Sequence, residues 1–411
     1  MFSKRTVKIY LAFIIGAIII LSFIWRFSLI LKPGHLGDFQ TSILWAKTLS
    51  QSFRNFYQIT GSNYGPLYAF FLKPQNIPVN YLIARGMTET NAYWLVFHLV
   101  LILADIAIVF LFFNLVKKYF GWLWGLIAAA LYAANPVFYL ASGQWGQADN
   151  IVLALMLVVF WLILEKKYFW AAIIIGLGLL FKPTIIVIVP LVILLAIFDK
   201  KFFEVFCGLA VASIAGLLVS LPFFASTGQI ISFYFETLIK NDLTPRLAVG
   251  AKNLWYLFGE TRPDATKFIG ISLKNWGNIL FAVATLSAVW VFLRVKNRWN
   301  ALALAFFIVL FGFYLLPTRS HERYQLFSFL PLILLCVSLR ARWTALLVYL
   351  FSSITFFFVI CEIYSTLLPN WIDSIKNFYN TISIANIVIF VAGTFLLCYY
   401  SLGEKRSIRK T

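Results

Sequence analysis

The sequence predicts an all-α polytopic membrane protein of about twelve transmembrane helices, with interfacial helices in its first outer loop. Three observations predict it. First, the 411 residues are 62% hydrophobic and 12% charged, and mean hydropathy is +0.88, whereas soluble domains are nearer half apolar and a quarter charged. Second, the apolar residues gather into runs, most of them long enough to cross a bilayer. Third, the bases lie in short clusters between those runs, so the net charge of +19 reads as membrane topology and not as a nucleic-acid surface.

The runs fall at about 9–31, 92–116, 122–141, 150–164, 169–181, 184–198, 203–224, 276–294, 300–317, 324–339, 343–365 and 383–401. The first is too long for a signal-peptide core and reads as a span. With the N-terminus in the cytoplasm, the cytoplasmic connections carry Lys117-Lys118, Lys166-Lys167, Lys200-Lys201, Arg294/Lys296/Arg298, Arg340/Arg342 and the tail Lys405, Arg406, Arg409 and Lys410. With Lys4, Arg5 and Lys8 these short segments hold 18 of the 34 Lys and Arg, the asymmetry that places them inside. The long connections, 32–91 and 225–275, then lie outside with shorter ones at 142–149, 318–323 and 366–382. Residues 1–411 read as one integral membrane domain. Within the first loop, Gly65 to Leu72 is amphipathic enough to lie at the interface. The four cysteines show no CxxC or metal spacing and read as small apolar residues.

Two runs, 169–181 and 184–198, fall short of the length a full span needs and are joined by Lys182-Pro183. One long helix would put a flanking Lys pair outside, so a hairpin is expected, its joint beneath the outer surface in a cavity.

Ionisable groups in or near lipid are costly and mark function by default. Asn91, His98 and Asp105 recur at seven-residue spacing, one stripe on a helix. Asp105 reads best as a hydrogen-bonded seam; His98 reads equally as seam or site. Asp38, just past the first span, is either a base of tunable pKa or the cap of a helix over Thr41 to Leu49. Ser142-Gly143-Gln144-Trp145-Gly146-Gln147-Ala148-Asp149-Asn150 offers amides, an indole platform and a carboxylate, the mixture that holds sugars; the alternative is an interfacial Trp with a helix cap. Thr318-Arg319-Ser320-His321-Glu322-Arg323-Tyr324 concentrates donors suited to phosphate oxygens, with Lys182 adding a cation on the same side; the alternative is a solvated polar turn with an internal Arg–Glu pair. Walker A, GxSxG, HExxH and DxD patterns are absent from the sequence.

Taken in order, these motifs resemble the GT-C superfamily of polytopic glycosyltransferases that use lipid-linked donors, and within it the GPI-anchor second-mannosyltransferase-like group with its bacterial and archaeal relatives. The resemblance rests on Asp38, Asn63-Tyr64-Gly65-Pro66-Leu67-Tyr68, Leu103-Ala104-Asp105, Gly143-Gln144-Trp145-Gly146-Gln147-Ala148-Asp149 and His321-Glu322-Arg323-Tyr324. Phe181-Lys182-Pro183-Thr184 and Asn253-Leu254-Trp255-Tyr256 also match. Gly65 stands where the family often has proline.

The resemblance implies transfer of a hexose, mannose favoured, from a polyprenyl-phosphate carrier to an acceptor hydroxyl on the outer face, usually with inversion. It implies Asp38 as base; His321, Arg323, Lys182 and Arg319 on the donor phosphate; and Gln147, Asp149, Trp145, Tyr64 and His98 positioning sugar or acceptor. No cofactor or metal is implied, and the partners are the bilayer, the donor and an acceptor of unassigned class. Two other readings stand beside it: a transporter or flippase of lipid-linked sugars, and a polymerase or ligase of lipid-linked glycans.

Overall fold

A computed structural model describes residues 4–30, 32, 34–237, 244–338, 342–363 and 377–403. Arg340, the basic tail from Lys405 and most of the 366–382 connection lie outside the described residues. The first apolar run forms α1 (Lys4–Phe27). The long connection after it is helical in pieces: α2 (Leu36–Gln51), α3 (Phe56–Thr60), α4 (Pro66–Leu72) and α5 (Asn76–Ala84). Proline in the first turn of α4 costs no hydrogen bond and presets φ, so a short helix forms over Pro66–Leu72 where one was expected.

Then follow α6 (Glu89–Phe120), α7 (Trp122–Ala134), α8 (Pro136–Leu140), α9 (Asp149–Leu164), α10 (Tyr168–Phe181), α11 (Val189–Phe198), α12 (Phe202–Ser220) and α13 (Thr227–Phe235). The chain continues through α14 (Leu273–Arg294), α15 (Arg298–Leu315), α16 (Phe329–Ser338), α17 (Arg342–Ile363) and α18 (Tyr379–Leu402). Among the described residues, seven helices are long and apolar enough to cross a membrane, or eight if α7 and the segment beginning at Pro136 count as one span bent by 50°. The remaining runs are shorter helices, so among the described residues the expected count of about twelve spans is not confirmed. The bend has a local cause. Pro136 lacks the N–H that would continue α7, and Asn135 caps the next helix by accepting from the Val137 N–H.

The expected hairpin is present. Lys182 ends α10 in an extended conformation, and Pro183 opens a 3-10 turn leading into α11. Its two far ends meet, since the Tyr168 hydroxyl donates to Asp199 at 2.8 Å and Arg298 grips the same carboxylate. Lys182 therefore sits at the tip, at the end of the bundle that carries the long connections. At the centre lies α15, 89% buried over its apolar window, as an all-apolar helix must be. Helices around it turn side chains such as Phe13, Phe203 and Phe395 outward, a surface that suits lipid.

Two contacts knit the loop-rich end together. The Gly65 N–H donates to the Phe181 carbonyl, and a Cβ at Gly65 would fall 2.1 Å from the Leu180 carbonyl oxygen; only glycine allows the start of α4 to lie against the hairpin tip. Strand β1 (Ala248–Val249) pairs in parallel with β4 (Ser320–His321), in the register Ala248 to Ser320 and Val249 to His321. A second small pair, β2 (Lys267–Phe268) and β3 (Ile271–Ser272), is antiparallel. The 225–275 and 318–323 connections are thereby joined.

Candidate active site

The site is built where these connections converge. Helix α2 starts at Leu36 with His35 as its N-cap, so Asp38 lies within the first turn. The helix begins earlier than Thr41, and the capping alternative for Asp38 is set aside. Its carboxylate faces across to the 141–147 loop, accepting from Trp145 Nε1 at 2.9 Å and from Gln147 Nε2. His35 Nδ1 lies 3.3 Å from the same oxygen. That loop is one wide π-type turn, Ala141–Trp145, closed by Gly146 in the left-handed region at φ 79°; such turns recur at functional sites. Burial pushes the Asp38 carboxyl up, but the His35 bond, the Arg323 charge and the Trp145 donor outweigh it and hold it below the usual carboxylate range. The same hydrogen bond raises His35, against an opposing effect of burial.

Asp149 opens α9, and its carboxylate is not a cap either. It lies 2.8 Å from Lys182 Nζ and 3.2 Å from Arg323 Nε, with Asp149 and Lys182 almost wholly buried. Both contacts are close enough for charge attraction but misaligned for hydrogen bonding. Two buried cations thus share one acid and still have N–H directions to offer. The Lys182 ammonium sits 4.8 Å from the Tyr64 ring centre. The Arg323 guanidinium lies 6.0 Å from the Trp145 ring and donates to Glu322 at 3.1 Å.

Lys182, Arg319, His321 and Arg323 line one cavity of about 530 Å³ together with Tyr64 and Tyr324. Asp38 lies outside that lining and is linked to it through Trp145. A larger groove of about 670 Å³ between α17 and α18 has no ionisable residue in its lining. Burial and the Arg323 and Lys182 charges push the His321 imidazole well below its ordinary value, so at neutral pH it offers one N–H and no charge. Arg319 is already matched: Asp264 accepts from its Nε and, at 3.2 Å, from its Nη2.

His98 is not in the lining. Its ring nitrogens lie 2.8 Å from the Trp94 carbonyl and 3.3 Å from the Gln144 carbonyl, which places it beneath the 141–147 loop as a support. Asp105 forms the expected seam, with Arg26 Nε at 2.7 Å, the Tyr132 hydroxyl at 2.6 Å, Asn150 Nδ2 at 3.2 Å and the Ser142 hydroxyl. Sequence reasoning missed Arg26, His35 and Asp264. Arg26 had a signal, since an arginine inside an apolar run needs a partner and Asp105 was the acid in the next span. Asp264 had none, being paired across 55 residues of chain.

Fold and site define an all-α polytopic membrane protein whose loop-rich end holds a cationic cavity beside a carboxylate. The family model described as dolichyl-phosphate-mannose-protein mannosyltransferase matches residues 74–225, 152 of the 411. That match supports a membrane glycosyltransferase of the GT-C type. It takes in His98, Trp145, Gln147, Asp149 and Lys182, and leaves Asp38, Tyr64 and the 319–323 segment outside. Comparison with curated proteins gave no match.

Proposed function

We propose that the protein transfers a hexose, mannose favoured, from a polyprenyl-phosphate donor to an acceptor hydroxyl, with inversion, on the outer face of the membrane. One observation carries this reading: Lys182 and Arg323, which share Asp149, line one cavity, and Arg323 lies 6.0 Å from the ring of the Trp145 that donates to Asp38. As the acceptor oxygen forms its bond to the sugar C1, the bond from C1 to the phosphate oxygen breaks and its electron pair stays on the phosphate. Lys182 and Arg323 stabilise that charge where it develops, with the neutral His321 adding a donor, and Asp38 takes the acceptor proton. Arg319, held by Asp264, shapes the cavity edge. Trp145 and Gln147 hold Asp38 in place, and Tyr64 flanks Lys182. His98 acts through the loop it supports. Protein cations balance the phosphate in this scheme without a metal.

The flippase reading draws most on Asp105, and the pairing of that residue with Arg26 argues for a structural seam. The GPI-type resemblance and the protein-mannosyltransferase match suggest different acceptors, so the acceptor is left to experiment. Purified protein in nanodiscs is given labelled polyprenyl-phosphate mannose and glucose with a membrane and cell-wall extract. Label leaving the carrier in wild type but not in Asp38→Asn is the expected result. Label crossing the bilayer still on its carrier would favour the flippase.

A further inference from the structure

A carboxylate facing three donors is a poor resting place for a proton. His35 stands beside it in an unusual position. Its Nδ1 is 3.1 Å from the Asp38 backbone nitrogen and 3.3 Å from Asp38 Oδ2. One ring nitrogen cannot serve both at once. With a lone pair it accepts from the backbone N–H and caps α2; with a proton it donates to the carboxylate. The side chain is 45% exposed, and among the described residues Nε2 has no hydrogen-bond partner.

We infer that His35 relays the acceptor proton from Asp38 to the outer solvent. The inference rests on Asp38 being the base. The acceptor O–H bond breaks as the sugar bond forms, and the proton arrives on the Asp38 carboxylate. It passes to the Nδ1 lone pair, giving an imidazolium, which then releases a proton to water. The direction is downhill, because Asp38 is held below its ordinary range and His35 above its own. The charged groups facing His35 are Asp38 on its own helix and, from the 322–328 turn, Glu322, which favours the imidazolium, and Arg323, which opposes it. Once protonated before substrate arrives, His35 cannot accept, so turnover should fall as pH drops through its raised value.

His35→Asn separates relay from cap. Asparagine is a favoured N-cap, yet carries no proton, whereas His35→Ala loses both roles. Both variants are expected to lose about a hundredfold in kcat with the donor KM unchanged, and to lose the acid limb of the pH profile, which the raised His35 places above its ordinary 6.5. Added imidazole should restore part of the His35→Ala rate. If His35→Asn turns over like wild type across that limb while Asp38→Asn is inactive, the relay is overturned and the transferase reading stands. If wild type releases no label from any donor, both are overturned. Should His35→Ala fail to fold, His35→Asn decides alone.

Discussion

Replacing Asp105 with asparagine tests the seam directly. Arg26 and Asp105 are both fully buried and 2.7 Å apart, and removing one member of such a pair strands the other charge, at a cost of about 3–5 kcal/mol. Asparagine keeps an acceptor for Tyr132 or Asn150, so the lower end applies. About 3 kcal/mol is roughly a hundredfold in the folded-to-unfolded ratio, at 1.36 kcal/mol per decade. The double variant Arg26→Met/Asp105→Leu removes both charges and should regain most of that loss. Denaturant unfolding of the purified proteins in detergent reads all of these. Asp105→Asn within 0.5 kcal/mol of wild type, or a double variant less stable than the single, would refute the idea that this pair is a structural seam.

Two further substitutions probe the site. Gly146→Ala forces a left-handed backbone on a Cβ that would sit 2.8 Å from His98 Nε2; it should cost about 1–2 kcal/mol from conformation alone and slow transfer through displacement of Gln147, read as a lower Tm and a lower kcat. Lys182→Met leaves Arg323 to pair with Asp149, so the protein should fold, while kcat/KM for the donor falls about 10- to 100-fold through loss of one charge-assisted contact; an unchanged kcat/KM would remove Lys182 from the phosphate site.

The sequence made some of this legible and hid the rest for physical reasons. Hydropathy and base clusters located the runs, because burying backbone in lipid leaves a helix no alternative. The short runs around Lys182-Pro183 foretold the hairpin, because their lengths and the Lys pairs fit no other course. The grouping of Lys182, Asp149 and Arg323 was visible only as three polar residues expected on one side; that one acid serves both cations is a matter of tertiary placement. Asp38 was singled out by position, yet its neighbour His35 passed unnoticed, since a cap is read from the first helical residue and the start of α2 was placed too late. Arg319 shows the converse: composition suited it to phosphate oxygens, and only the structure shows that Asp264, far along the chain, holds it at the cavity.

The truncated α10 also ties the protein to its surroundings. Its 14 residues reach ~21 Å, leaving the Lys182 tip ~9 Å short of crossing a hydrocarbon layer of ~30 Å. On the proposed role of Lys182 at the carrier phosphate, hydrophobic mismatch would bear on transfer: a thinner bilayer would bring the tip toward the headgroup plane, and a thicker one would sink it. A deformation of a few ångströms costs only fractions of a kcal/mol per ångström, so the lipid can dip to meet the site. How readily it dips depends on acyl-chain length and sterol content, so under the proposed function lipid composition would act on turnover without any residue of the protein encoding it.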